Sequence, residues 1–175
     1  MDNVVSVALK MVESAIKIEK EGVKFYSDAA SKTKNLKGKE ALLRLAKAEE
    51  DHLNSLEDER DSLIRTGHWI KSRKLKPIMD INFDKIIPLP KKDATEFTVD
   101  TDELTAVEVG IKTEKEVYEY YMKTAEKLVD EDGKAFFKRL AEAEKQHIRL
   151  LEAELDYLRK VGYWFDFREF NLETF

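Results

Sequence analysis

Arg44-Leu45-Ala46-Lys47-Ala48-Glu49-Glu50-Asp51-His52 and Arg139-Leu140-Ala141-Glu142-Ala143-Glu144-Lys145-Gln146-His147 are two versions of one phrase. Each holds a glutamate and a histidine three residues apart. Each lies in a run whose apolar members recur every three or four residues. These are Leu42, Leu45, Leu56 and Leu63 in the first run, and Phe137, Leu140, Leu151 and Leu158 in the second. That rhythm is one face of an α-helix. Glu49, His52, Glu144 and His147 fall on the apolar face, where charged side chains are out of place.

The likeness extends outward from these two phrases. At a shift of 95 positions, residues 12–69 overlie 107–164 without a gap, and 25 of the 58 pairs are identical. Glu19-Lys20-Glu21 meets Glu114-Lys115-Glu116, Tyr26 meets Tyr121, and Gly67 and Trp69 meet Gly162 and Trp164. Shared composition would not hold one register through so many residue types, so the halves are copies of one unit. In each copy a second amphipathic run precedes the Glu-x-x-His helix. Val5, Leu9, Val12, Ile16, Glu19, Val23, Tyr26 and Ala30 form it in the first copy, and Leu104, Val107, Ile111, Glu114, Tyr118, Tyr121 and Ala125 in the second.

Turn signals at Asn35–Gly38 and Asp130–Gly133 separate the helices of each pair. Gly67 and Gly162 stand where C-terminal caps belong, and Asp100-Thr101-Asp102 offers an N-cap for the third helix. The expected fold is all-α, a four-helix bundle of two αα-hairpins, 4–69 and 101–164. Residues 70–100 join them and hold Pro77, Pro88 and Pro90. Such a connector is long for a compact domain, and suits a crossover along the bundle or exchange of hairpins between two chains. The aromatic-rich tail from Trp164 to Phe175 is expected to dock on the bundle or on a partner subunit rather than to line a ligand pocket. The whole chain, 1–175, reads as one domain.

Composition narrows the function. Charged residues make up 38% of the 175, and 31 Lys and Arg against 36 Asp and Glu leave a net charge of −5. No basic excess favours nucleic acid or an anionic membrane. The chain has no cysteine, which excludes disulfides, thiolate metal sites and a catalytic thiol. No apolar run approaches membrane-spanning length and the first residues lack a signal-peptide pattern, so a cytoplasmic location is expected.

The polar anomaly carries the chemistry. Glu19, Glu49, His52, Glu114, Glu144 and His147 all occupy positions that the stripes assign to the core. Burying an unpaired carboxylate costs several kcal/mol even after relaxation. The stripes hold no Lys or Arg to compensate. Four glutamates carry −4, and two divalent ions would bring the site to neutrality. Carboxylate oxygen with imidazole nitrogen suits iron or manganese, and zinc less distinctively. One Glu from each of two helices, with Glu-x-x-His from each of the other two, is the ligand arrangement of di-iron and di-manganese bundles. A single Glu-x-x-His is common on charged helices, but two at equivalent repeat positions outweigh an ion-pair core. His68, replaced by Tyr163 in the second copy, reads as a surface or packing residue. Glu59 and Glu154, a heptad beyond the histidines, read as end-of-bundle ion pairs ahead of a role in guiding cations. Tyr26 and Tyr121 lie two turns beyond Glu19 and Glu114, where they either donate to a ligating carboxylate or simply pack.

Glu19-x6-Tyr26 with Glu49-x-x-His52, and Glu114-x6-Tyr121 with Glu144-x-x-His147, resemble the ferritin-like superfamily, most of all the rubrerythrin-type di-iron domain. The resemblance implies Glu19 and Glu114 as terminal ligands, Glu49 and Glu144 as bridging ligands, and one histidine, His52 or His147, on each metal. It also implies an oxidoreductase that reduces peroxide or O2. Lacking the family's four-cysteine rubredoxin module, the chain would take electrons from an external, rubredoxin-like donor. Some rubrerythrins carry an extra carboxylate where this chain has Val117, with Gly22 in the first copy. Bacterioferritins usually place a haem-binding Met where Glu50 and Lys145 stand, so haem is not expected. Iron storage of the ferritin type is the alternative function, and a bundle holding structural zinc is a third. A homodimer is the expected assembly.

Overall fold

The computed structural model describes residues 3–71 and 101–164. The Asp100 cap, most of the connector and the segment 165–175 lie outside the described residues. Four helices account for nearly all of what is described: α1 (Asn3–Lys32), α2 (Leu36–Thr66), α3 (Thr101–Lys127) and α4 (Glu131–Val161). Each is 27 to 31 residues long, or about 40–46 Å at 1.5 Å per residue. There is no strand among the described residues. α1 packs along α2 and α3 along α4, so the fold is a bundle of two αα-hairpins, as the repeat requires.

The ends are set by local chemistry. Asn35 accepts hydrogen bonds from Lys37 N (2.9 Å) and Gly38 N (3.3 Å), which satisfies the exposed donors at the start of α2. Asp130 does the same for Asp132 N and Gly133 N at the start of α4. Gly67 and Gly162 take left-handed φ values of 73° and 78°, and their N–H groups bond back to Leu63 O and Leu158 O. Both were expected as caps, and a residue with a Cβ is strained at such φ.

Two apolar clusters, each drawn from all four helices, hold the hairpins together. One contains Val12, Leu63, Tyr121, Phe137 and Leu140. The other contains Tyr26, Leu42, Leu45, Val107 and Leu151. Full burial of each such side chain contributes about 1.5–3 kcal/mol. The hairpins are also clasped reciprocally. Trp69, just past α2, lies over Gly133 at the start of α4, and Trp164, just past α4, lies over Gly38 at the start of α2. Trp164 Nε1 further donates to Glu103 Oε2 (2.7 Å), and Glu103 Oε1 accepts from Lys34 N and Asn35 N. The first turn of α3 is thereby tied to the turn of the other hairpin.

The clasp makes a prediction. A Cβ at position 133 would lie 2.6 Å from the Trp69 ring, and one at position 38 would lie 2.2 Å from the Trp164 ring. Alanine favours a helix over glycine by up to about 1 kcal/mol, but overpacking a rigid ring costs about 1–3 kcal/mol or more. Gly38→Ala and Gly133→Ala are therefore each expected to lower the melting temperature, by roughly 2–12 °C for a chain of this length. An unchanged or raised melting temperature would show that the rings do not seat on these glycines.

Candidate metal centre

The clusters leave a polar layer between them, near the middle of every helix. Glu19 is presented by α1, Glu49 and His52 by α2, Glu114 by α3, and Glu144 and His147 by α4. The Glu-x-x-His spacing puts both side chains of a pair on one helical face, a turn apart. The four carboxylates are only 0–4% exposed, and the histidines 1–2%. The structure thus brings all six side chains into one buried cluster.

Both imidazoles present Nδ1 to the acids. His147 Nδ1 lies 2.9 Å from Glu49 Oε1, 2.9 Å from Glu144 Oε2 and 3.7 Å from Glu114 Oε1. His52 Nδ1 lies 3.2 Å from Glu144 Oε1, and 3.7 Å from both Glu19 Oε2 and Glu49 Oε2. The rings stack with centroids 5.2 Å apart and planes 12° from parallel. Ligand atoms from Glu49, His52, Glu144 and His147 all fall within 4.8 Å of one another.

These atoms converge without bonding. Glu19 Oε2, Glu49 Oε1, both Glu144 oxygens, His52 Nδ1 and both His147 nitrogens are buried and make no hydrogen bond of acceptable geometry. Buried polar atoms are almost always satisfied, so seven orphans in one layer require an explanation. Cations seated among them supply one: four carboxylates match two divalent charges, and oxygen with imidazole nitrogen is a donor set for first-row metals. The residues present fit a metal pair.

Charge confirms the tension. Burial, then the Glu49 and Glu144 charges, hold the Glu19 carboxyl well above the usual range. Burial, then the Glu49 charge, raises Glu114 to about 8. Burial also pushes Glu49 and Glu144 upward, but the imidazoles overcome it and leave both below the ordinary value, Glu49 far below. Burial lowers the two histidines, and the neighbouring carboxylates more than reverse it, so both stand well above 6.5. Without metal, the layer therefore balances two carboxylates against two imidazolium ions.

The tyrosines act across the bundle. Tyr26 Oη on α1 donates to Glu114 Oε1 on α3, and Tyr121 Oη on α3 donates to Glu19 Oε1 on α1. Sequence spacing left donation and simple packing both open; the structure shows donation, to a carboxylate on the opposite hairpin. Burial, followed by the charge of that carboxylate, raises both phenols well above 10, so both stay protonated donors. Gly110 is a residue that sequence reasoning missed: a Cβ there would stand 3.2 Å from Tyr26 Oη. Its mismatch with Ala15 in the repeat was the available signal. His68 is exposed, as expected. Glu59 is buried, and its Oε2 accepts from Ile70 N (2.9 Å), closing the chain just beyond α2. Glu154 is buried as well.

A four-helix bundle with a buried layer of four glutamates and two histidines defines the class: a carboxylate–histidine protein whose core is built to take a pair of metal ions. The sequence matches the family model described as rubrerythrin over residues 10–155, and the chain belongs to the rubrerythrin family. Among solved structures it is similar to a hypothetical protein from Pyrococcus furiosus. The TM-score is 0.64 at 24% identity, over 87% of this chain and 90% of that one, a likeness of fold. No curated protein sequence matches it. No described helix is long and apolar enough to cross a membrane.

Proposed function

We propose that the protein is a di-iron oxidoreductase that reduces hydrogen peroxide, or O2, with electrons delivered from elsewhere. The observation that supports this most is the set of seven buried, unbonded polar atoms contributed by Glu19 on α1, Glu49 and His52 on α2, and Glu144 and His147 on α4. In this reading Glu49 and Glu144 would serve both ions, Glu19 and Glu114 would each serve one, and His52 and His147 would each offer Nδ1 to one ion. Iron is preferred to manganese or zinc because the chain belongs to the rubrerythrin family. Two adjacent ferrous ions, when bound, supply two electrons together. Reduction of hydrogen peroxide consumes two electrons and two protons and yields two waters, so no radical need be released.

The protein's own part is positional. Tyr26 and Tyr121 each donate to one oxygen of Glu114 and Glu19 respectively, fixing the carboxylates that close the site. The apolar clusters on either side exclude bulk water, which strengthens every charge interaction between them. The 175 residues contain no cysteine, so the reducing equivalents come from a separate redox centre such as a rubredoxin-like protein. A homodimer is the expected assembly, with hairpins paired within or exchanged between chains.

Anaerobic loading of the metal-free protein with ferrous iron, followed by peroxide or O2, tests this directly. The expected result is two ions per chain, near-ultraviolet absorption typical of bridged ferric iron, and reaction faster than that of free ferrous iron. Reaction no faster than the free ion would remove the oxidoreductase reading. A particle of about two dozen chains retaining many irons per chain would replace it with storage.

A further inference from the structure

Nearly everything about the layer is reciprocal between the two hairpins: the tyrosines, the tryptophans and the Glu-x-x-His pairs. One feature is not. A groove of about 420 Å³ runs between α1 and α3 and reaches the layer, where it is floored by Tyr26, Glu49 and Glu114. Glu49 lines it and its repeat partner Glu144 does not. The difference traces to one position. Gly22 on α1 faces Glu49, and a Cβ there would stand 3.3 Å from Glu49 Cγ and 3.4 Å from Oε2. The repeat partner of Gly22 on α3 is Val117, whose side chain forms part of the groove wall.

From this asymmetry we infer that Gly22 opens the centre to small neutral molecules from one side only, over the Glu49 carboxylate, while Val117 closes the corresponding path over Glu144. The walls are mostly apolar, with Ile18, Phe25 and Tyr120 beside Val117. The mouth carries the exposed pair Glu21 and Glu116, themselves repeat partners. Acidic groups at the mouth and on the floor disfavour anions. A neutral oxidant the size of O2 or hydrogen peroxide meets no such barrier. Gly22 is thus a specificity-determining residue that lies beside the Glu49 carboxylate without being a ligand. This rests on the di-metal reading above.

The test uses nitric oxide, a neutral diatomic probe, and reads its binding rate to the anaerobic ferrous protein by visible absorption. Gly22→Val gives α1 the residue of α3, and is expected to slow binding on the order of tenfold or more, since a close-packed path opens only by fluctuation. The exchange Gly22→Val with Val117→Gly moves the opening to the Glu144 side and is expected to restore the rate. Thr113→Trp, at an exposed position lining the groove, fills the mouth without touching Glu49 and is expected to slow binding with metal content unchanged. If Gly22→Val loses metal by displacing Glu49, Thr113→Trp decides alone. A parental rate in Thr113→Trp, or in a fully loaded Gly22→Val, overturns the one-sided opening, as does an exchange variant that stays slow. A parent that fails to hold two ferrous ions refutes the di-metal reading itself, and the opening with it.

Discussion

Replacing Glu49 and Glu144 together by alanine is expected to abolish binding of both metal ions while the helices survive. These two carboxylates each face both histidines: Glu49 reaches His147 at 2.9 Å and His52 at 3.7 Å, and Glu144 reaches them at 2.9 Å and 3.2 Å. A residue that bridges two ions is lost to both at once. Removing a mere supporting partner of a ligand costs about 10–100-fold in metal affinity, so losing both bridges should exceed that. The fold should persist because the hairpins are held by the apolar clusters and by the tryptophan clasps, none of which uses these side chains. The two histidines lose their counter-charges in the double variant, and they adapt by releasing protons rather than by unfolding the core. Elemental analysis after dialysis and far-ultraviolet circular dichroism read the two outcomes separately. Two ions per chain in a helical double variant would refute the ligand assignment. Glu49→Gln with Glu144→Gln, which keeps shape and removes charge, guards against a packing artefact.

Filling the metal-free protein at pH 7 is expected to release about four protons per chain, because every ligand must be deprotonated to bind. Glu19 and Glu114 stand above their ordinary values, Glu114 at about 8, and both histidines are raised as well, so all four hold protons at pH 7. Two divalent ions replace them charge for charge. A pH-stat titration in unbuffered salt counts the protons, and release of one or fewer would contradict the charge balance derived above. The same shifts fix the sign of a stability effect. Groups with raised folded-state values bind more protons folded than unfolded. Their contribution is present at low pH and lost as pH rises through the folded value. The metal-free protein should therefore melt lower at pH 9 than at pH 7, with the Glu114 share of the loss running from its ordinary value of 4.5 upward and complete near its folded value of about 8. The loaded protein should not follow, since deprotonation favours the ions. A metal-free form that gains stability from pH 7 to 9 would show that these carboxyls are not protonated in the fold.

Much of this was legible in the chain. The helix rhythm, the 95-residue repeat, the turns at Asn35–Gly38 and Asp130–Gly133 and the caps Gly67 and Gly162 are local properties, and the structure reproduces each. The inward placement of Glu19, Glu49, His52, Glu114, Glu144 and His147 was legible for the same reason: a helical stripe states which residues face the core. A stripe does not state which helix lies opposite. The crossing of Tyr26 to Glu114 and of Tyr121 to Glu19 is a fact of packing that no spacing within one helix encodes. Trp69 showed in the sequence only as a position matching Trp164 after a cap, and Trp164 only as the start of an aromatic tail expected to dock. Their seats on Gly133 and Gly38 exist because the opposing hairpin brings those glycines there.

The sequence by itself determined two hairpins, their internal symmetry and the set of charges turned inward, because periodicity and repetition are written along the chain. Tertiary structure alone decided how the copies interlock and that the symmetry breaks at Gly22 and Val117. Those depend on distances between residues on different helices, and a missing side chain becomes an opening only when another element lies against it.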